Sequence, residues 1–251
     1  MTDIHAHILF GIDDGPSEIE QSLEMCAVSR RNGFDTVIAT PHCLSAEEIE
    51  GVARLRDRRI EALREALKQA KIELRILGGM ELTAGEEMLF VPSLREAVLA
   101  KSRYLLLEFS PRSCTPGRII KYTGSVLDAG LVPVIAHAER YLPFQEDYDL
   151  LNYVSDMGAL LQVDVRGLSG RGPSGETKLA HELVRGRIAS FLATDAHSPQ
   201  RRSTDLSRYG RSFPRDISGE TLRFMLSDAP DAVARDEALP AIARERAKKH
   251  E

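Results

Sequence analysis

The chain has 251 residues, 28% of them charged and 43% hydrophobic, with 33 Lys and Arg against 38 Asp and Glu for a formal charge of −5. Such a chain can bury a sizeable core, and it lacks the basic excess with which nucleic-acid-binding proteins neutralise phosphate. Three scattered cysteines, Cys26, Cys43 and Cys114, spell neither a disulfide framework nor a CxxC site, and no stretch approaches the about 18–20 apolar residues that cross a bilayer.

The chain opens MTDIHAHILFGIDDGP, with no basic start and no apolar leader, so the expected compartment is the cytoplasm. Short apolar runs follow at 3–8, 36–40, 73–77, 104–109, 132–136, 160–165 and 188–193, each of a length suited to a buried parallel strand. Helical patterns lie between them. Ser17, with Glu20 at the capping-box position, opens a helix that ends at Asn32-Gly33. Ser45 opens a long helix whose Ile49, Val52, Ile60, Leu63 and Leu67 make one stripe, and its basic run Arg54-Leu55-Arg56-Asp57-Arg58-Arg59 reads as a solvated face. Further helices are expected at 94–100, 117–129, 147–157, 175–186 and 219–227, and 228–251 reads as a surface helix with a frayed end. Alternation without a linker argues for one α/β domain over residues 1–251. Even spacing, with a polar residue at each strand end, favours a closed barrel over an open doubly wound sheet.

The histidines carry the chemistry. His5 and His7 lie two apart on the first run and so share a face. His42 follows the second run, His137 ends the fifth and His197 follows the seventh, leaving only His181 and His250 elsewhere. Carboxylates occupy equivalent places: Asp13 and Asp14 after the first run, Glu81 after the third, Glu108 at the end of the fourth and Asp195 at the end of the seventh. Any one of these alone is more readily a structural histidine, a strand end or a turn. In a parallel barrel, however, all these ends converge on the face where active sites are built, which points to a shared metal site.

Counting one of the Asp13/Asp14 pair leaves nine candidate ligands, too many for one tetrahedral zinc and best suited to three metals. Three divalent cations against four carboxylates leave a charge of about +2, complementary to a phosphate monoester dianion. The imidazole and carboxylate mixture suits Mn²⁺, Fe²⁺ or Zn²⁺. Arg140 stands three residues after His137, and Arg201 and Arg202 follow His197 by four and five. Arg140 and Arg202 are read as phosphate contacts through their guanidinium forks, and Arg201 as a surface residue.

The segments DIHAHILFGIDDGP, ATPHC, GGMEL, LLLEF, VIAHAERY, LQVDVRGLSG and ATDAHSPQRR, in this order, resemble the PHP (polymerase and histidinol phosphatase) superfamily. Within it they are most similar to the bacterial CpsB/CapC-like protein-tyrosine phosphatases of capsule and exopolysaccharide synthesis, over nearly the whole chain to about residue 227. The resemblance implies a distorted (β/α)7 TIM-like barrel with a trinuclear, manganese-type centre. Its ligands would be His5, His7, Asp14, His42, Glu81, Glu108, His137, Asp195 and His197, and Arg140 and Arg202 would hold phosphate. Asp14 is preferred to Asp13 on the motif, since spacing does not separate them. The implied substrate is phosphotyrosine in the tail of a partner tyrosine kinase, with no nucleic acid and no membrane insertion.

The expected reaction is attack of a metal-bridging water on phosphorus, with His42 or a metal-bound water as the acid. Thiolate chemistry would need Arg six residues after a Cys. Those positions hold Asn32, Ile49 and Ile120, so Cys43 beside His42 reads as packing. The runner-up is a phosphatase of the same superfamily acting on histidinol phosphate or a nucleotide. A metal-stabilised, non-catalytic regulator of a kinase is a third reading, disfavoured because every candidate ligand position is filled.

Overall fold

A computed structural model describes residues 1–89, 92–110 and 114–241. Its strands all pair in parallel: β1 (Thr2–Ala6), β2 (Thr36–Ala39), β3 (His42–Cys43), β4 (Arg75–Gly78), β5 (Glu81–Thr83), β6 (Tyr104–Glu108), β7 (Val132–Ile135), β8 (Leu160–Asp164) and β9 (Phe191–Ala193). They form one sheet in the order β1-β2-β4 and another in the order β3-β5-β6-β7-β8-β9. Most strand residues are buried on both faces, as a parallel sheet covered by helices requires. That is why the strands read as unbroken apolar runs rather than as alternation.

Each expected run contains a strand, but two of them continue further than periodicity suggested. After Ala39 the backbone passes Pro41, which has no N–H for the ladder, and resumes pairing as β3. After Gly78 it passes Gly79 and resumes as β5, with His42 opposite Glu81. Gly79 fits that passage closely: a Cβ would lie 2.8 Å from the Leu99 side chain and 3.1 Å from Ile38, so a larger residue would have to displace them. His42 and Glu81 therefore stand on strands of their own rather than in loops. The free edges of the two sheets also meet: Asp195 N–H donates to His5 O at 2.8 Å and His7 N–H to Ala196 O at 2.9 Å. The result is a curled parallel sheet whose carboxyl ends face a common space.

The helices differ from expectation in their caps. Glu18, not Ser17, caps Ile19–Arg31, in a reciprocal capping box with Gln21 rather than Glu20. Ser45 accepts from Glu47 N–H and opens a 3-10 turn, Ala46–Glu48, before the long helix Ile49–Gln69. That helix buries Ile49, Ile60, Leu63 and Leu67 as its stripe requires, but also Arg56. The Arg56 guanidinium donates to Glu96 O at 2.9 Å and reaches Gly79 O at 3.4 Å, so the basic run is not wholly a solvated face. Short 3-10 turns, Pro92–Glu96 and Leu99–Lys101, replace the helix expected at 94–100.

Helices Pro116–Asp128, Tyr148–Met157 and Ser174–Arg185 lie where the periodicity puts them. Gly219–Arg223 runs on through a π turn, Phe224–Asp228, into Ala229–Ala234. This last helix is not a solvated one: Ala229, Pro230, Ala232 and Val233 are buried, and Asp231 accepts from Thr2 Oγ1 on β1. Tyr104 O–H then donates to Glu237 O, and Arg103 pairs with Asp236, tying the following segment to β6. Residues 242–251, expected to continue that helix, lie outside the described residues. Among the described residues no helix is long and apolar enough to cross a membrane.

Candidate metal centre

The nine predicted ligands gather at the carboxyl ends of the strands. His5 on β1 and His7 just past its end point to one side, both buried, with their Nε2 atoms 3.3 Å apart. Glu81 Oε2 lies 3.3 Å from His5 Nε2 and 3.1 Å from His7 Nε2. Asp195 Oδ1 stands 3.5 Å from both. On one flank His42 Nδ1 is 3.1 Å from Glu81 Oε2 and 3.8 Å from Glu108 Oε2. His137 Nε2 is 2.9 Å from Glu81 Oε1 and 3.5 Å from Glu108 Oε1. On the other flank Asp14 Oδ1 is 3.1 Å from His197 Nε2 and 3.5 Å from His42 Nε2.

One donor atom from each member falls within 4.8 Å of the others in three overlapping groups: His5, His7 and Glu81; His42, Glu81 and Glu108; and His7, Asp14, His42 and His197. Among the described residues His137 and Asp195 complete no such group, but they join the cluster through the contacts above.

Asp13 and Asp14 separate by what they touch. The Asp13 side chain is largely covered and hydrogen-bonds His7 Nδ1 at 2.7 Å, while accepting from the N–H groups of Gly15 at 2.9 Å and His42 at 3.1 Å. Asp14 is 64% exposed and turns to the cluster. Gly15 follows because the loop packs tightly on β1, where a Cβ would lie 2.6 Å from His7 O. One carboxylate therefore orients an imidazole through its far nitrogen, and its neighbour faces the space that imidazole lines.

The site fits cations better than it fits itself. Among the described residues, His42 Nδ1, Asp195 Oδ1 and His197 Nε2 are buried with no hydrogen-bond partner of acceptable geometry. Such orphaned atoms aimed at a common space are what absent ligand bonds leave. Burial pushes the His7 imidazole down, but hydrogen bonds with Asp13 and Glu81 outweigh it and raise it to about 10. His137 is likewise lifted to about 10 against burial and the nearby Arg140 charge, by Glu108 and Glu81. Burial pushes the Glu81 carboxyl up, yet the surrounding histidines hold it well below the usual range. A field that retains protons this strongly is one in which divalent cations can replace them.

Two arginines attach to the rim. Arg140 donates to Asp195 Oδ2 at 2.7 Å and also to Asp164, and Arg202 donates to the same Asp195 oxygen. Asp195 thus offers one oxygen to the imidazoles and the other to both guanidinium groups. His137 and Asp195 both have positive φ, +32° and +47°, at the sharp turns where the chain leaves β7 and β9. Arg201 is exposed, as expected, on the same loop as Arg202. A cavity of about 390 Å³ opens beside the cluster between the two loops, lined by Asp14, Pro16, Gln21, His197, Pro199 and Arg202 among others.

Three buried partners escaped sequence reasoning: Asp3, Gln162 and Asp164. Asp3 accepts from Thr194 Oγ1 and N–H and anchors the turn that carries Asp195. Polar residues inside apolar runs were the available signal. Cys43 donates to Ser45 O and is fully buried, its thiol pushed up to about 11 by burial, so no thiolate faces the cluster.

Residues 1–235 match the family described as capsular polysaccharide synthesis, CpsB/CapC. Curated relatives include the tyrosine-protein phosphatase YwqE of Bacillus subtilis, 28% identical over 95% of this chain and 93% of its own. The tyrosine-protein phosphatase CpsB of Streptococcus pneumoniae is 28% identical over 95% of this chain and 100% of its own. Crystal structures of these two proteins, described as unique metal-dependent tyrosine phosphatases, include a chain that superposes with a TM-score of 0.83. That chain is 26% identical, and the match covers 99% of the present chain and 100% of the other. With the match running through nearly every element described above, the chain belongs to the CpsB/CapC capsular polysaccharide synthesis family.

Proposed function

We propose that this protein is a metal-dependent phosphomonoesterase that hydrolyses phosphotyrosine in protein, acting in the cytoplasm on the tail of a bacterial tyrosine kinase of capsule or exopolysaccharide synthesis. In this reading the curled sheet is a distorted seven-stave barrel of the PHP type, with the β2–β3 and β4–β5 paths each counted as one stave. The nine clustered side chains hold three divalent ions, Mn²⁺ in preference to Fe²⁺ or Zn²⁺. The single observation that carries the reading is Asp195, which faces the buried imidazoles with one oxygen and two arginines with the other. A cation site and an anion-binding pair that share a carboxylate suit a phosphate dianion, whose oxygens need both. The names of the relatives support the same substrate.

Cations in this centre supply Lewis acidity and a water acidic enough to act as a nucleophile near neutral pH. The rest falls to the chain. Glu81, placed among four of the five histidines, would share their cations, one oxygen facing His5, His7 and His42 and the other His137. Arg140 and Arg202, pre-aimed by Asp195 and Asp164, take the non-bridging phosphate oxygens and neutralise charge as it spreads in the transition state. The leaving phenolate, of pKa about 10, is a modest base. Proton donation by His42, the most exposed imidazole of the set, is therefore secondary to charge neutralisation. Pro16 and Pro199 give the adjoining cavity apolar walls against which an aryl ring can lie.

The test is turnover of a phosphotyrosine peptide and of histidinol phosphate, each with chelator and after Mn²⁺ is restored, in wild type and His7→Ala. Peptide hydrolysis that stops on chelation, returns with Mn²⁺ and is lost in His7→Ala is the expected result. A rate indifferent to chelator would sink the metal reading, and faster turnover of histidinol phosphate would make the enzyme a small-molecule phosphatase.

A further inference from the structure

Gln162 is a fully buried amide on β8, a strand otherwise closed by Asp164 two residues later on the same face. Its Oε1 accepts from the backbone N–H of His137 at 2.8 Å and lies 3.0 Å from His5 Nδ1. Its Nε2 donates to Asp164 Oδ1 at 2.9 Å. The amide has only one acceptable orientation. A backbone N–H always donates and a carboxylate accepts, so the reversed amide would set donor against donor and acceptor against acceptor at once.

With the oxygen so placed, His5 Nδ1 must carry a hydrogen, because an amide oxygen offers nothing to accept. The neutral ring then has its lone pair on Nε2, the atom 3.3 Å from Glu81 Oε2 and 3.5 Å from Asp195 Oδ1. At the other end, the bond from Gln162 engages Oδ1 of Asp164 and leaves Oδ2 to Arg140.

We propose that Gln162 is a positioning residue that sets His5 to bind a cation through Nε2 and, through Asp164, sets Arg140 to receive the substrate's phosphate. It rests on the metal-centre reading above, and it adds, from behind His5 and Arg140, a second link between the two halves of the site that Asp195 joins directly. Asp13 plays the first of these parts for His7, but makes no contact with the arginines among its hydrogen bonds.

Three variants separate the two roles, read by Mn²⁺ titration calorimetry, by KM for an aryl phosphate at saturating Mn²⁺, and by thermal melting. Gln162→Leu removes every polar contact, so Mn²⁺ affinity should fall roughly 10–100-fold, the cost usual for a lost partner of a metal-binding histidine, and KM should rise. Gln162→Glu keeps an acceptor for His5 and His137 but sets an oxygen against Asp164, so Mn²⁺ affinity should hold while KM rises. Asp164→Asn should likewise raise KM and leave Mn²⁺ affinity unchanged. A purely structural role would move all three variants together with their melting temperatures.

The inference is overturned if folded Gln162→Leu binds Mn²⁺ like wild type, if Gln162→Glu loses as much affinity as Gln162→Leu, or if Asp164→Asn keeps the wild-type KM. Should Gln162→Leu not fold, the Gln162→Glu and Asp164→Asn pair decides: retained affinity with raised KM supports the proposal, and any other pattern overturns it. Wild-type protein that binds no Mn²⁺ overturns the metal reading and this proposal together. Wild type that binds, with variants unaltered, overturns this proposal alone.

Discussion

Asp195 is the residue on which two chemistries meet, and it is held there by backbone as much as by side chain. Its N–H donates to His5 O, its φ is positive, and the preceding Thr194 is anchored by buried Asp3. On the proposed reading, an arginine bound to such a carboxylate would already be oriented before phosphate arrives. Lysine at that place keeps the charge but loses the planar fork. Arg140→Lys should therefore raise KM for an aryl phosphate about tenfold, with a smaller change in kcat, because bidentate recognition is lost while charge is kept. Unchanged KM would mean that Arg140 only braces Asp195.

A second residue-scale expectation concerns Cys26, far from this chemistry. Burial raises its thiol to about 12, above the roughly 8.5 of an unfolded cysteine. Between those values the folded state holds a proton that the unfolded state releases, so stability present below the unfolded value is lost as pH rises. Urea unfolding at pH 8 and pH 10 should show wild type losing stability relative to Cys26→Ala, by a slope approaching about 1.4 kcal/mol per pH unit. An equal gap at both pH values would contradict the shift.

At the scale of the element, the informative features are the interruptions. β3 and β5 are two and three residues long, yet they carry His42 and Glu81 and pair in register. Hydrophobic periodicity locates strands by their apolar runs, and these pieces are too short and too polar to register in it. What makes them strands is the ladder on either side. Gly79 lets the chain pass under Leu99 to reach β5. Gly79→Ala should cost about 1–3 kcal/mol by overpacking and weaken metal binding by moving Glu81. Urea unfolding together with Mn²⁺ titration tests this, and a stable variant with full affinity would show that the contact yields.

Helix Ala229–Ala234 carries the same lesson. Its alternation of Ala, Asp and Val is that of a surface segment, but packing on β1 buries it. Arg56 was likewise legible only as charge, because the carbonyls it satisfies lie on segments distant in sequence.

For the whole molecule, the net charge of −5 says little about the substrate. Only four of the 38 acidic residues, Asp14, Glu81, Glu108 and Asp195, belong to the cluster, and cations there would neutralise them, leaving arginines at the rim to face an anion. Metal should therefore stabilise the fold as well as activate it, by about 2.7 kcal/mol at a concentration 100 times the dissociation constant. Differential scanning calorimetry with Mn²⁺ and with chelator measures it, and coincident melting curves would argue against a preformed cation site.

The sequence by itself determined the α/β class, the succession of the main strands along the chain and which side chains gather at their ends, because buried strands must be apolar and a His or Glu at the end of one is conspicuous. Its spacing also argued against thiolate chemistry, since no Arg stands six residues after any Cys. Only the tertiary structure decided that Asp13 braces His7 while Asp14, which the motif preferred, faces the cluster, that Asp195 is shared with two arginines, and that Gln162 joins His5 to Asp164. Those are contacts between residues far apart in the chain, or choices between neighbours of the same type. Their outcome depends on which atoms the curled sheet brings within hydrogen-bonding distance, a quantity that no pattern along the chain contains.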